Sequence, residues 1–298
     1  MSDFSISFSE VKSKQQYNSS KSKTEAQSSL SDVSIFSADN NPDNAPKTLT
    51  KEELKAQKKR QKAEAKAERK RIANNPDGVI QGGKQGSTAG DCWLLAEMNS
   101  MSKTDWGKKA LKEAITTDDE GNFTVHFKGI NKDIKITKKE FEKAQKNSDY
   151  SSGDADALLL EIAVERHFSE TNLNNGSIKG NDLAGEDSLQ YLLTGKKGRQ
   201  TNQSHEMEIV LKAMGEKSEN NNGISATYIY HDNNPDNAGD MDHAMSIQRV
   251  ILDDKGNIDK VVVLDSYHPE KTQELSYKTF INNVKLFGYV TTPEEKLK

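Results

Sequence analysis

Cysteine occurs once in the 298 residues, so neither an internal disulfide framework nor a cysteine-based metal cluster can form. Long apolar runs are missing too. Nothing approaches the roughly 20 residues of a membrane span, so no transmembrane segment is expected. The opening residues Met1-Ser2-Asp3-Phe4-Ser5-Ile6-Ser7 lack the basic and apolar regions of a secretory signal. Synthesis in the cytoplasm is the expectation, with any export following a route that reads no such signal. Apolar residues make up only 33% of the chain against 30% charged, and mean hydropathy is -0.87. These values are extreme for one globular body, and a folded part diluted by a polar, unfolded part accounts for them.

Charge locates the division. The formal net charge of -4 combines a basic segment, ten Lys/Arg against four Asp/Glu over residues 51–72, with a body of net -9 over residues 73–298. An acidic body is a poor general binder of nucleic acid, whereas a basic segment beside it invites intramolecular docking. Residues 1–50, rich in Ser, Asn, Gln and Lys, show no sustained period and read as a disordered leader. In composition this leader resembles the N-termini of bacterial effectors injected by specialised secretion machines. Residues 51–75 read as a basic helix of strong helix formers, with Thr50 as N-cap and Glu53 three residues on. A propeptide that covers the acidic body, removed by self-cleavage near Asn74–Gly78, is one expectation for it. Asn74-Asn75-Pro76-Asp77-Gly78 is a turn.

The body reads as α+β. Helices are expected after Cys92, after the Thr104 cap, near Thr137, over 154–168 with Asp154 as cap, after Asp187, and along Met207, Val210, Leu211 and Met214. His167 falls at a helix end, where an imidazolium suits the dipole. A hairpin is expected at Phe123–Phe127 and Ile134–Ile136. Strands then dominate: 226–231, 243–252, 260–265 and 286–291, with Asp253–Asn257 as a turn. The boundaries are a helical lobe over 76–218 and a β lobe over 219–298, with a cleft between them.

The single cysteine sits in Gln85-Gly86-Ser87-Thr88-Ala89-Gly90-Asp91-Cys92-Trp93-Leu94-Leu95-Ala96, a glycine-rich turn that leads into a helix. A thiol in the first turn faces unpaired amides and the positive end of the dipole, which favour the nucleophilic thiolate. Such a nucleophile needs a base and a group to orient that base. His243 opens a strand after the loop 233–242, and Asp265 closes the next strand, so the two can meet at one end of a strand pair. His231 and His268 compete with His243 for the part.

Taken together these residues resemble a known family. Gln-Gly-x-x-x-Gly-Asp-Cys-Trp-Leu-Leu-Ala is similar to the nucleophile segment of calpain-like cysteine proteases, and Asp242-His243-Ala244-Met245-Ser246-Ile247 to their histidine segment. Val263-Leu264-Asp265-Ser266-Tyr267-His268-Pro269 falls where the family has Asn-Pro-Trp. Leu158–Phe168 and Gly176–Leu193 resemble the elements between. The resemblance runs from about residue 79 to the C-terminus. It implies a papain-like two-lobed fold, helical then antiparallel β, and a catalytic set of Cys92, His243, Asp265 and Gln85. Cys92 would be nucleophile, His243 general base and acid, Asp265 the orienting group, and Gln85 an oxyanion donor beside the Cys92 amide. Trp93 would pack behind the thiol, and Tyr267 would shield the His243–Asp265 bond. Gly86–Asp91 is one residue longer than the family's turn, and Asp265 replaces an asparagine.

The function this implies is hydrolysis of peptide bonds in a protein substrate through a thioester. Aspartate as third member equally suits a transglutaminase-type acyltransferase, and a catalytically inactive peptide-binding scaffold is a third reading. No cofactor is expected. Calcium is not predicted, since no calcium-loop pattern occurs and the carboxylates at 232–242 and 253–254 read as loop charge.

Overall fold

The computed structural model describes residues 50–81, 83–86, 90–180, 185–216, 223–230 and 242–291. The expectations for residues 1–49, for the loop 232–241 and for His231 lie outside them. Helix α1, Lys51–Asn74, matches its helix-forming composition but buries none of its side chains. It is laced by local pairs such as Arg60–Glu64 at 2.7 Å. Its C-terminal end meets the body where the Gln145 side chain donates to the Ala73 carbonyl at 2.7 Å. No helix among the described residues is long and apolar enough to cross a membrane.

Beyond α1 the apolar residues gather into two cores. The first is built around α2, Cys92–Met101, in which every residue after Cys92 is buried. A helix apolar on most sides must be enclosed on most sides. Helix α2 packs most extensively on residues 225–230 and 243–252 of the second lobe, and the same core takes in α3, Asp105–Ala114, a three-stranded antiparallel sheet, α4 (Lys138–Ala144), α5 (Ala155–Thr171) and α6 (Leu189–Thr194). The sheet contains β1 (Ile115–Thr117), β2 (Phe123–Phe127) and β3 (Lys132–Ile136), with Val125 opposite Ile134. The expected caps are in place. Thr104 accepts from the Gly107 amide, Asp154 from Ala157, and Thr137 and Glu140 close a capping box.

The second core lies on a six-stranded antiparallel sheet, ordered β4-β9-β5-β6-β7-β8. Its strands are β4 (Arg199–Thr201), β5 (Ser225–Tyr230), β6 (His243–Leu252), β7 (Ile258–Leu264), β8 (Thr272–Ser276) and β9 (Val284–Val290). Helix α7, Ser204–Gly215, and α8, Tyr277–Asn283, complete it. The architecture is thus α+β with two antiparallel sheets. One expectation changes. The stripe Met207, Val210, Leu211 and Met214 packs with Tyr228, Ile247 and Phe287, so α7 belongs to the sheet lobe. The lobe boundary therefore falls before β4, not at 218/219, because β4 pairs with β9.

Candidate active site

Cys92 is the first residue of α2 and is partly exposed. Gly90, two residues before it, has φ +63°, a conformation that favours glycine. Its carbonyl accepts from the Gly180 amide at 3.0 Å. Trp93 is buried behind the thiol, stacks on Phe168 at 5.9 Å and donates its Nε1–H to the Ile178 carbonyl at 2.6 Å. The start of α2 is therefore tied from two sides to the 178–180 segment.

The sheet lobe supplies the other half. In the β6–β7 ladder Ser246 faces Leu264, which puts His243 at the start of β6 and Asp265 past the end of β7 on the same sheet edge. His243 Nε2–H donates to Asp265 Oδ1 at 2.8 Å, and both side chains are largely shielded. The Tyr267 amide donates to the same oxygen at 2.8 Å, so this carboxylate is held by two donors. The Tyr267 ring stacks on the imidazole, centroids 5.0 Å apart and planes 21° apart. Cys92 also acts on His243 and favours its charged form. With Nε2 committed to Asp265, Nδ1 is the nitrogen left for the thiol.

The electrostatics follow from these contacts. Burial opposes charge on His243, but the hydrogen bond to Asp265 and the effect of Cys92 outweigh it and raise the imidazole to about 9. Burial pushes the Asp265 carboxyl up, yet the bonds from His243 and the Tyr267 amide leave it below the usual carboxylate value. At neutral pH the site is arranged to hold an imidazolium between a carboxylate and a thiol.

Gln85 is buried and fixed along its backbone. Its amide donates to the Ser266 carbonyl at 2.9 Å, next to Asp265, while Lys84 bridges to Ser152 on the other side. Gly86 presses so closely on Asp149 that a Cβ there would lie 2.2 Å from the Asp149 carbonyl oxygen. The Gln85 Oε1 and both Asp91 carboxylate oxygens are without a hydrogen-bond partner. Residues 87–89 of the long turn lie outside the described set.

The competing histidines are placed elsewhere. His268 is exposed and lies 3.8 Å from Glu270; only its backbone amide meets Asp265. His126 pairs with Asp133 and Thr116 across the small sheet. His167 is buried against Phe127 and Phe168, and its Nδ1 lies 3.1 Å from Lys132 Nζ. Burial and Lys132 lower its pKa, so it is a neutral acceptor and not the imidazolium expected from the helix dipole. Two carboxylates were not singled out from the sequence: Asp91, beside the nucleophile, and Glu161, in the middle of the apolar face of α5. The one sequence signal for Glu161 is a charge standing between Leu160 and Ile162.

Among the described residues no three His, Cys, Asp or Glu side chains converge as a metal site. Asp253 serves its own turn, accepting from the Lys255 and Asn257 amides. A groove of about 580 Å³ runs between the lobes, with Asn99 and Lys103 on one wall and Gln248 and Pro269 on the other. A paired thiol and charged imidazole, oriented by a carboxylate, are equipped for acyl transfer to sulfur. No protein-family model matches the chain, and no curated protein matches it.

Proposed function

We propose that the protein is a calpain-like cysteine endopeptidase on a papain-like two-lobed fold. The observation that carries this reading is the convergence of Cys92 and Asp265 on His243 from opposite lobes, with the imidazole raised to about 9. An unrelated surface histidine has no reason to sit buried between a thiol and a carboxylate.

The steps use the chain's own residues. Cys92 sulfur attacks the scissile carbonyl carbon, and the resulting oxyanion is met by the Cys92 amide and a Gln85 side-chain N–H. Collapse breaks the C–N bond, and His243 gives its proton to the departing amine. Water then attacks the thioester as His243 takes its proton, and collapse breaks the C–S bond, releases the acid and leaves the Cys92 thiolate beside the recharged His243 imidazolium. Asp265 keeps the ring oriented throughout, and Tyr267 excludes water from the bond that does so.

Asp265 in place of an amide supports a second reading, in which an amine displaces water and the product is a new amide. Incubation of a labelled unfolded protein with a labelled primary amine separates the two. Shorter chains that disappear with Cys92→Ala support the endopeptidase; amine adducts on intact chains support the transferase. Neither product, with Cys92 alkylated by iodoacetamide no faster than an ordinary thiol, would leave the cleft as a binding scaffold and overturn both.

A further inference from the structure

Of the 24 residues of α1, ten are Lys or Arg, and the helix sorts them into two groups. Eight of them, running from Lys51 through Lys55, Lys58, Lys62 and Lys66 to Lys70, repeat at helical spacing and fall within an arc of about 120°. All eight are exposed, and none forms an ion pair among the described residues. The other two, Arg60 and Arg71, lie off this stripe, and these are the two that are paired. Arg60 meets Glu64 at 2.7 Å, and Arg71 meets Glu68 at 2.8 Å. Glu53 falls on the same far side, so Glu52 alone of the four acids borders the stripe.

Like charges three and four residues apart repel and weaken a helix. Core contacts do not offset that cost, because α1 buries no side chain. A surface built only for solubility mixes both signs. A row of one sign, about 36 Å long at 1.5 Å per residue, is instead complementary to a polyanion. The body leaves the row open. It holds α1 at the last turn, where Arg71 meets Asp77 at 2.9 Å and Gln145 donates to the Ala73 carbonyl.

What α1 lacks narrows the choice of polyanion. It has no aromatic side chain on which the bases of a single strand would stack. Apart from alanines its apolar residues are Leu54 and Ile72, too few for a face that enters a bilayer. Binding to a bilayer by charge alone would also hold the body, net -9, close to the same anionic plane. A duplex is a narrow rod with regularly spaced phosphates, and its major groove admits a helix. It can meet the stripe without confronting the body. We propose that the basic face of α1 binds double-stranded nucleic acid through its phosphates. The stripe is lysine apart from Arg69, and lysine ammoniums act as point charges toward phosphate. Gln57 and Gln61 lie off the stripe, so the contact positions the protein without reading base sequence. The inference stands whether or not Cys92 is a protease nucleophile.

The test titrates the full chain into a fluorescently labelled duplex of arbitrary sequence and follows anisotropy across a salt series. The slope of log affinity against log salt should be about -3.6 or steeper, as about four or more phosphate contacts require. Lys58→Ala, Lys62→Ala and Lys66→Ala together should weaken binding at least about tenfold and flatten the slope by about 2.7. Alanine at these positions keeps the helix. Lys109→Ala, Lys255→Ala and Lys278→Ala remove the same charge from exposed positions of the body, and should leave affinity within about twofold of wild type. Equal loss in the two triple variants would mean that net charge alone acts, and would overturn the proposal. So would the absence of duplex binding at low salt. Tighter binding to a single strand of the same sequence, or to phosphatidylserine vesicles, would overturn it as well.

Discussion

The lobe that carries Cys92 buries the carboxylates Asp91, Glu97, Asp154, Asp156 and Glu161, whereas the buried polar side chains described in the sheet lobe are all hydroxyls: Thr201, Ser225, Thr227, Ser246 and Ser266. The cause is the backbone. In the sheet lobe the ladder pairs its own amides and carbonyls, so buried side chains need supply little. The first lobe is made of short helices and loops whose amides would otherwise be orphaned. Asp156 accepts the Asp77 and Gly78 amides, Asp154 those of Gln81 and Ala157, Glu97 that of Gln190, and Glu161 that of Ser151. Burial raises the pKa of each of the five carboxylates, Asp156 to about 7. Carboxyl acceptors hold the loops around the thiol, and the sheet offers a stiff edge for His243. Asp265 is the carboxylate that the described residues of the sheet side bring to His243.

The contrast can be broken from either side, and the sheet side gives the largest effect. Asp265→Ala should lower kcat about 100-fold or more without abolishing turnover, since His243 loses its orienting group but Cys92 remains. The same substitution removes the hydrogen bond that raises His243, so the alkaline limb of the rate should move from about 9 toward lower pH. A wild-type pH profile in steady-state kinetics would take Asp265 out of the site.

Stability against pH should separate the lobes next. A carboxyl raised in the folded state binds more protons folded than unfolded, so its contribution falls as pH rises from the unfolded value toward the folded one. For Asp156 that window runs from the ordinary aspartate range up to about 7. His243 is raised as a base, so its contribution is whole below its unfolded value and is lost only as pH rises through about 9. Hydrogen exchange, corrected for its intrinsic pH dependence, should therefore show residues 77–81 and the start of α5 losing protection before β6 and β7. Simultaneous loss in both would erase the distinction.

Single substitutions inside the first lobe should be smaller. Asp156→Asn sets an amide N–H against a backbone N–H that the second carboxylate oxygen now accepts, and should cost about 1–2 kcal/mol in urea unfolding. Thr104→Ala, which removes a neutral cap from α3, should cost about 1 kcal/mol. A larger loss at Thr104 than at Asp156 would mean that the buried carboxylates are not the main ties of this lobe.

Much of this arrangement is readable in the residues, and the unread parts share a cause. The strands at 123–127 and 243–252 and the caps at Thr104, Thr137 and Asp154 lie where the structure has them, because local patterns determine them. Cys92, His243 and Asp265 were legible by residue type and position at element ends. Gln85 was legible only through the family resemblance. Strand β8 carries a single apolar residue, Leu275, among Thr, Gln, Glu and Ser, too few to show a period. The stripe of α7 gives a buried face but not the lobe it is buried against. Glu161 and His167 escaped for the opposite reason. Each is polar yet enclosed, and periodicity assigns polar residues to solvent while only the partners, the Ser151 amide for Glu161 and Lys132 for His167, reveal otherwise.

The central claim is that His243, held by Asp265, charges and activates Cys92. Its most direct test is the rate of Cys92 alkylation by iodoacetamide as a function of pH in the wild type and in His243→Ala. Wild type should react faster near neutral pH than free cysteine does, and His243→Ala should fall back to the rate of free cysteine. Superimposable profiles for the two proteins would contradict the account.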